Sequence, residues 1–201
     1  MPNPFPVSWQ RLVCVAALGL LLSACTPEPA QPAFQGSNIA GSHFGQDMEM
    51  VDTSGQTRRL DDYRGKVLVV FFGFTHCPDV CPTSLAQLHA AQQLLGQDAE
   101  KMQAIMISVD PQRDTPALLR TYLDAFSPDF VGLTGSADQL ARTARSFKAF
   151  YARSGAAGSA HYSMDHSSSF YVIDQTGQAR SLLRGDATPE EIAHDVRLLL
   201  D

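Results

Sequence analysis

From about residue 47 the apolar positions fall into two alternating patterns. Residues 67 to 72, VLVVFF, and 104 to 109, AIMISV, are unbroken apolar runs, the signature of strands covered on both faces. Between and after them the spacing is helical. Leu85, Leu88, Ala91 and Leu95 share one helix face, and Leu119, Tyr122, Leu123 and Phe126 share another behind the start signal Thr115-Pro116. Ser136 with Gln139 and Thr188 with Glu191 fit capping boxes that open helices running to about Phe150 and Leu200. A short strand fits residues 131 to 133. Ser54-Gly55, between 48–52 and 56–60, and Gln175-Thr-Gly-Gln, between 170–174 and 179–183, read as hairpin turns. The resulting order is ββαβαβαββα, and it predicts an α/β domain over residues 47–201, a mixed sheet with helices on both faces and an N-terminal β-hairpin. No internal repeat is evident.

The first 46 residues follow neither pattern. Arg11, an apolar run of eleven residues from Leu12 to Leu22 and the small residues Ser23-Ala24 have the form of an export signal over 1–24, too short for a bilayer span of roughly 20 residues. Leu-Ser-Ala-Cys25 resembles a bacterial lipobox, which makes Cys25 the expected lipidation site. The mature chain would then be extracytoplasmic, anchored by lipid to a bacterial membrane and facing the periplasm. Residues 25–46, rich in Pro, Ala, Gly, Gln and Ser, read as a lipidated N-terminus and flexible tether. Whether that membrane is inner or outer stays open.

Charge narrows the function. The formal net charge of −6 becomes −7 once residues 1–24, whose only charge is Arg11, are removed. That excludes the basic stripe a nucleic-acid partner requires. Cysteine usage narrows it further: with Cys14 in the signal and Cys25 on lipid, the mature domain keeps Cys77 and Cys81, both in FGFTHCPDVCPT at 72–83. Each precedes a proline, which disfavours helix at both, and Pro82 suits a first helical position. The thiols should therefore sit on a stiff loop between a buried strand and a helix N-terminus, where the dipole lowers a thiol pKa. Such a pair serves either as a redox couple or as a soft-metal clamp. A third ligand would separate the two roles, and His166, just before the strand at 170–174, is a candidate, though spacing alone fits a polar loop histidine as well. His76 should point away from Cys77, and Met164 reads as packing. His43, His89, His161 and His194 read as surface residues. Asp110, Arg113 and Asp114 should brace the loop after the second buried strand.

Taken together, GKV at 65–67, FFGFTHCPDVCPTSL at 71–85, SVDPQRDTPALLRTYL at 108–123, GLTG at 132–135 and YSMDHSSSFYVID at 162–174 resemble the Sco/SenC family. The resemblance covers roughly residues 44–200. It implies a thioredoxin-like fold and a copper metallochaperone, binding Cu(I) and Cu(II), that assists assembly of the dicopper centre of cytochrome c oxidase. Carried over by position, it makes Cys77, Cys81 and His166 the copper ligands. From their places in the sequence, Asp79 reads equally as a residue that tunes the thiolates or meets a partner and as a turn carboxylate capping the helix, and Asp165 reads equally as an outer acceptor orienting His166 and as a solvated loop residue. The implied partners are the copper-bearing oxidase subunit or another cuproprotein, other copper chaperones and a thiol reductant. Residues 152–161, ARSGAAGSAH, depart from the more acidic, proline-containing loop common in the family.

The alternative is a thiol–disulfide reductase using Cys77 and Cys81 to keep an acceptor's cysteines reduced. Many thioredoxin-like oxidoreductases pack a cis-proline beside the cysteines, and no proline occurs here between Pro128 and Pro189. That favours metal. A peroxidase reading needs one peroxidatic cysteine and sits poorly with a second thiol in the same loop.

Overall fold

The computed structural model describes residues 33–156 and 162–200, and the compact unit begins at Phe34. Ten strands are present among the described residues: β1 (Ser37–Asn38), β2 (Glu49–Asp52), β3 (Thr57–Arg59), β4 (Val67–Gly73), β5 (Met102–Ser108), β6 (Val131–Thr134), β7 (Tyr151–Ser154), β8 (Ser163–His166), β9 (Phe170–Ile173) and β10 (Ala179–Leu183). Four α-helices accompany them: α1 (Val80–Leu95), α2 (Pro116–Asp124), α3 (Ala137–Ser146) and α4 (Pro189–Arg197). Eight strands form one sheet in the order β1-β10-β9-β4-β5-β6-β2-β3, and β7 and β8 form a separate hairpin. The chain is the expected thioredoxin-like mixed sheet: β4, β5 and β6 run parallel and their other neighbours antiparallel.

The unbroken apolar run of β4 is explained by its two faces. Val67, Val69 and Phe71 pack under α1, α2 and α4, while Leu68, Val70 and Phe72 pack on the opposite side with Leu140, Ala144 and Phe147 from α3 and its end. Burial of such side chains contributes roughly 1.5–3 kcal/mol each, so both layers are needed for a sheet whose central strands alternate faces at every residue.

Both capping boxes form. The hydroxyls of Ser136 and Thr188 accept from the N–H groups of Gln139 and Glu191, whose side chains accept in return from the two cap N–H groups. α3 stops at Ser146 rather than near Phe150, because Phe147 turns into the core and Lys148 adopts a left-handed φ of 52°. α4 likewise ends at Arg197, short of Leu200. Residues 34–46 of the stretch expected to be a tether belong to the compact unit. β1 pairs with β10, and the buried Asp195 carboxylate accepts from the Gln35 and Gly36 N–H groups and the Ser181 hydroxyl. No helix among the described residues is long and apolar enough to cross a membrane.

A short repeat emerges only from the structure. DTSGQTR at 52–58 and DQTGQAR at 174–180 build the same turn twice, with Gly55 and Gly177 at φ 85° and 83°. In each, one carboxylate oxygen accepts from a Ser54 or Thr176 hydroxyl and two backbone N–H groups, and the other from Arg58 or Arg180. Burial pushes both carboxyl pKa values up, but these donors together outweigh it, holding Asp52 at about 2 and Asp174 below the ordinary range. Folded-state values below the unfolded ones mean that this stabilisation is present above about pH 4 and lost as pH falls toward 2. Asp52→Asn with Asp174→Asn should therefore lower stability at neutral pH and flatten its loss between about pH 4 and 2. Denaturant melts across that range check it, and an unchanged slope would contradict it.

Candidate metal centre

The parallel strands deliver their C-terminal ends to one edge, where ligand sites of open α/β sheets collect. The loop after β4 carries Cys77 and leads into α1, and the loop after β5 carries Asp110 to Asp114. β9 runs antiparallel beside β4 with Tyr171 opposite Val70, so its start, just after His166, lies at the same edge. The topology alone thus brings residues 85 positions apart together.

The sulfurs of Cys77 and Cys81 and a ring nitrogen of His166 all lie within 4.8 Å of one another. His166 Nε2 is 3.8 Å from Cys81 Sγ, and the Cys81 N–H donates to Cys77 Sγ at 3.4 Å. His166 Nδ1 is 2.9 Å from the Ser167 carbonyl, which can only accept. Nδ1 therefore carries the proton, and the Nε2 lone pair faces the sulfurs. The Phe74 ring meets the imidazole edge-to-face at 5.8 Å. Both thiols are free; Cys77 is half-buried and Cys81 is 1% exposed.

Three expectations change here. Cys81 lies inside α1, not on the loop: with Asp79 at the N-cap, Pro82 occupies the first turn, where an N–H has no intrahelical acceptor to lose. Burial pushes the Cys81 thiol up, and neighbouring Cys77 adds to the rise against an opposing backbone hydrogen bond at Phe74. The helix-dipole effect expected to favour thiolate is thus outweighed at Cys81 by loss of water. Asp165 does not orient His166; it is exposed and accepts from the Ser154 hydroxyl at 3.2 Å, and the Ser167 carbonyl holds the ring instead. Asp79 is exposed, makes no side-chain cap hydrogen bond, and lines a 560 Å³ groove with Val80, Thr83, Ser168 and Arg184 beside the cysteines.

The remaining histidines stay apart from this cluster. His76 is exposed against Thr75 Oγ1 at 3.0 Å, His89 pairs with Gln93, and His194 lies beside Asp195. Met164 packs against the apolar layer as expected. Cys25 and His161 lie outside the described residues. Sequence reasoning missed the β7–β8 hairpin, which pairs Tyr151 with His166 and makes the histidine a strand residue. The signal was present, since Tyr162, Met164 and His166 alternate with exposed Ser163 and Asp165.

Two thiols and one imidazole form a soft donor set suited to copper or zinc and unsuited to magnesium or calcium. Three protein ligands leave a position open, as a transfer site needs and a closed structural zinc site does not. Because Cys81 is protonated before metal arrives, binding must expel its proton, and affinity should rise with pH. Gly185 fixes the neighbouring loop: a Cβ there would meet the Ser168 carbonyl oxygen at 2.2 Å. Gly185→Ala is expected to cost about 1–3 kcal/mol through overpacking. It should also shift the His166 imidazole resonances; a melt and a nitrogen-15 spectrum check both, and unmoved resonances would show that this loop does not set the ring.

Residues 36–201 match the SCO1/SenC family model. The chain is 39% identical over 184 residues to a SCO2-like protein of Rickettsia felis, covering 90% of this chain and 89% of that one. It superposes on the copper-bound ScoI of Bradyrhizobium japonicum with a TM-score of 0.70 at 38% identity, covering 76% of this chain and 97% of the other. A SCO1/SenC family lipoprotein of Bacillus anthracis aligns with a TM-score of 0.66 at 27% identity, over 76% of this chain and 92% of that one.

Proposed function

The chain belongs to the SCO1/SenC family, and on that premise we propose that it is a copper metallochaperone holding Cu(I) or Cu(II) through Cys77, Cys81 and His166. The observation that carries this reading is the convergence of the three donors within 4.8 Å. The copper-bound likeness from Bradyrhizobium japonicum supports the choice of metal. The acceptor is the copper-bearing subunit of cytochrome c oxidase or another cuproprotein, and other copper chaperones supply the ion.

Unequal exposure of the thiols gives the exchange an order. Cys77 is half-buried and can be reached by an acceptor thiolate, whereas Cys81 is 1% exposed and buried behind it. Copper passes when an acceptor sulfur takes the open position, Cys77 leaves first, and His166 and Cys81 follow. Each vacated thiolate recovers a proton, most readily Cys81, where burial disfavours the free anion.

The same pair supports a second reading, thiol–disulfide reduction. Cys77 would attack an acceptor disulfide, and Cys81 would then close a Cys77–Cys81 bond, sending two electrons and two protons to the acceptor; a thiol reductant restores the pair. One experiment separates the readings: titrate the reduced protein with Cu(I) against a chromophoric chelator, then offer a cysteine-pair peptide in reduced and in disulfide form. The carrier reading expects one-to-one binding and transfer to the reduced peptide. Weak binding with rapid reduction of the disulfide peptide would replace it.

Lipid attachment at Cys25, after removal of residues 1–24, would hold the site at a bacterial membrane on the periplasmic side. The Leu-Ser-Ala-Cys25 signature and the family lipoprotein from Bacillus anthracis support this. Intact mass of the membrane-extracted protein tests it, since a mature chain starting elsewhere than an acylated Cys25 would exclude the anchor.

A further inference from the structure

The ligands arrive on two separate pieces of chain, and among the described residues the β7–β8 hairpin pairs with no strand of the main sheet. The loop after β5 reaches both. On the cysteine side, the fully buried Asp114 carboxylate accepts from the Thr75 hydroxyl at 2.6 Å and the Thr75 N–H at 3.2 Å, two residues before Cys77. The Ser108 hydroxyl, also donating at 2.6 Å, fixes the same carboxylate to the end of β5.

On the histidine side, the Arg113 guanidinium carbon sits over the Tyr162 ring, 3.6 Å from its centre, and the guanidinium donates to the Tyr162 carbonyl at 3.0 Å. Asp110 completes the attachment, pairing with Arg113 and accepting from the Tyr162 hydroxyl at 2.8 Å. The Arg153 guanidinium carbon also lies over this ring, 3.8 Å from its centre. Tyr162 immediately precedes β8 and keeps the parity of Met164 and His166 along the chain, so holding it anchors the start of the strand that ends on the histidine. Arg113 also lies 5.9 Å over Phe74, whose ring contacts His166, and this closes the circuit between the two pieces.

We propose that Asp110, Arg113 and Asp114 form a bracket that sets the distance between the cysteine loop and the His166 strand, with Asp114 holding Cys77 and the Arg113–Asp110–Tyr162 cluster holding His166. These are positioning residues; none touches the donor atoms. A guanidinium held over the tyrosine ring and hydrogen-bonded to its carbonyl fixes orientation as well as distance, which a lone ion pair does not. Tying both halves to one short loop lets the site open on one side, by release of the hairpin, while the thiols stay placed. Only the metal readout below rests on the copper reading.

The test compares Tyr162→Leu, Arg113→Ala, Asp114→Asn and Thr75→Val with the parent protein in two metal-free readouts, the His166 imidazole resonances and the alkylation rate of Cys77. Tyr162→Leu and Arg113→Ala should shift or broaden the His166 signals and leave Cys77 alkylation at the parent rate. Asp114→Asn, and Thr75→Val should that buried change prevent folding, should speed alkylation and leave the His166 signals in place. With Cu(II), the first two should lose the thiolate-to-copper absorption to the level of His166→Ala. Readouts that move together in every folded variant, or in none, would overturn the bracket. Absence of copper binding in the parent would count against the copper reading alone, because the metal-free readouts still decide the bracket.

Discussion

Cys81→Ser is expected to weaken Cu(I) binding by more than a hundredfold. Loss of an outer partner that merely orients a ligand costs roughly 10–100-fold in metal affinity, and Cys81 is proposed as a direct donor. Serine offers a hard hydroxyl that stays protonated at neutral pH and has little affinity for Cu(I). At 1% exposure the vacated position is shielded from bulk water, so no solvent ligand readily replaces the sulfur. The same substitution at half-buried Cys77 should weaken binding less, because there an added solvent thiol can reach the open position and restore part of the affinity. Competition with a chromophoric chelator measures both losses, with a thermal melt of the metal-free variants to show that the fold survives. Affinity within threefold of the parent in Cys81→Ser, about 0.65 kcal/mol, would remove the thiol pair as the clamp.

His166→Ala should separate the two oxidation states: Cu(II) binding is abolished while measurable Cu(I) affinity remains. Two thiolates suffice for the softer ion, which accepts low coordination, whereas Cu(II) needs the imidazole nitrogen. The Ser167 carbonyl fixes the tautomer that presents Nε2, so His166→Ala removes a prepared ligand with little change to the main sheet. Electronic and electron-paramagnetic spectra report the Cu(II) loss, and chelator competition reports the retained Cu(I). Equal loss of both ions would contradict this division of roles.

The main elements were legible in the sequence because their patterns are set by local physics. The apolar runs of β4 and β5 announce burial on both faces, and Ser136–Gln139 and Thr188–Glu191 announce helix starts through reciprocal bonds within four residues. Cys77 and Cys81 stood out by their proximity in the chain. His166 was a candidate from its place before β9, but only the fold, by running β9 against β4, brings it to the sulfurs.

What escaped the sequence depends on tertiary context. β1 is two residues long and exists because β10 offers it an edge, so the composition of that stretch reads as tether. The β7–β8 hairpin stands apart from the main sheet with partly exposed side chains, which leaves a short alternation in place of an apolar run. The rise in the Cys81 pKa was hidden for a different reason. Pro82 and the helix N-terminus are visible in the sequence, but the burial that outweighs the dipole comes from the apolar layer that closes around Cys81. Asp165 looked like the partner of its neighbour His166, yet adjacent residues of a strand point to opposite faces. Asp110, Arg113 and Asp114 read as a brace for their own loop, but their partners Thr75 and Tyr162, 39 residues from Asp114 and 49 from Arg113, leave no local trace.

The most direct test of the account is the copper K-edge absorption spectrum of the reduced protein loaded with one equivalent of Cu(I). Two sulfur donors and one nitrogen donor, with the nitrogen lost in His166→Ala and one sulfur lost in Cys77→Ser, are expected. A spectrum with only nitrogen and oxygen donors, or one unchanged by those substitutions, would contradict the claim that Cys77, Cys81 and His166 hold the ion.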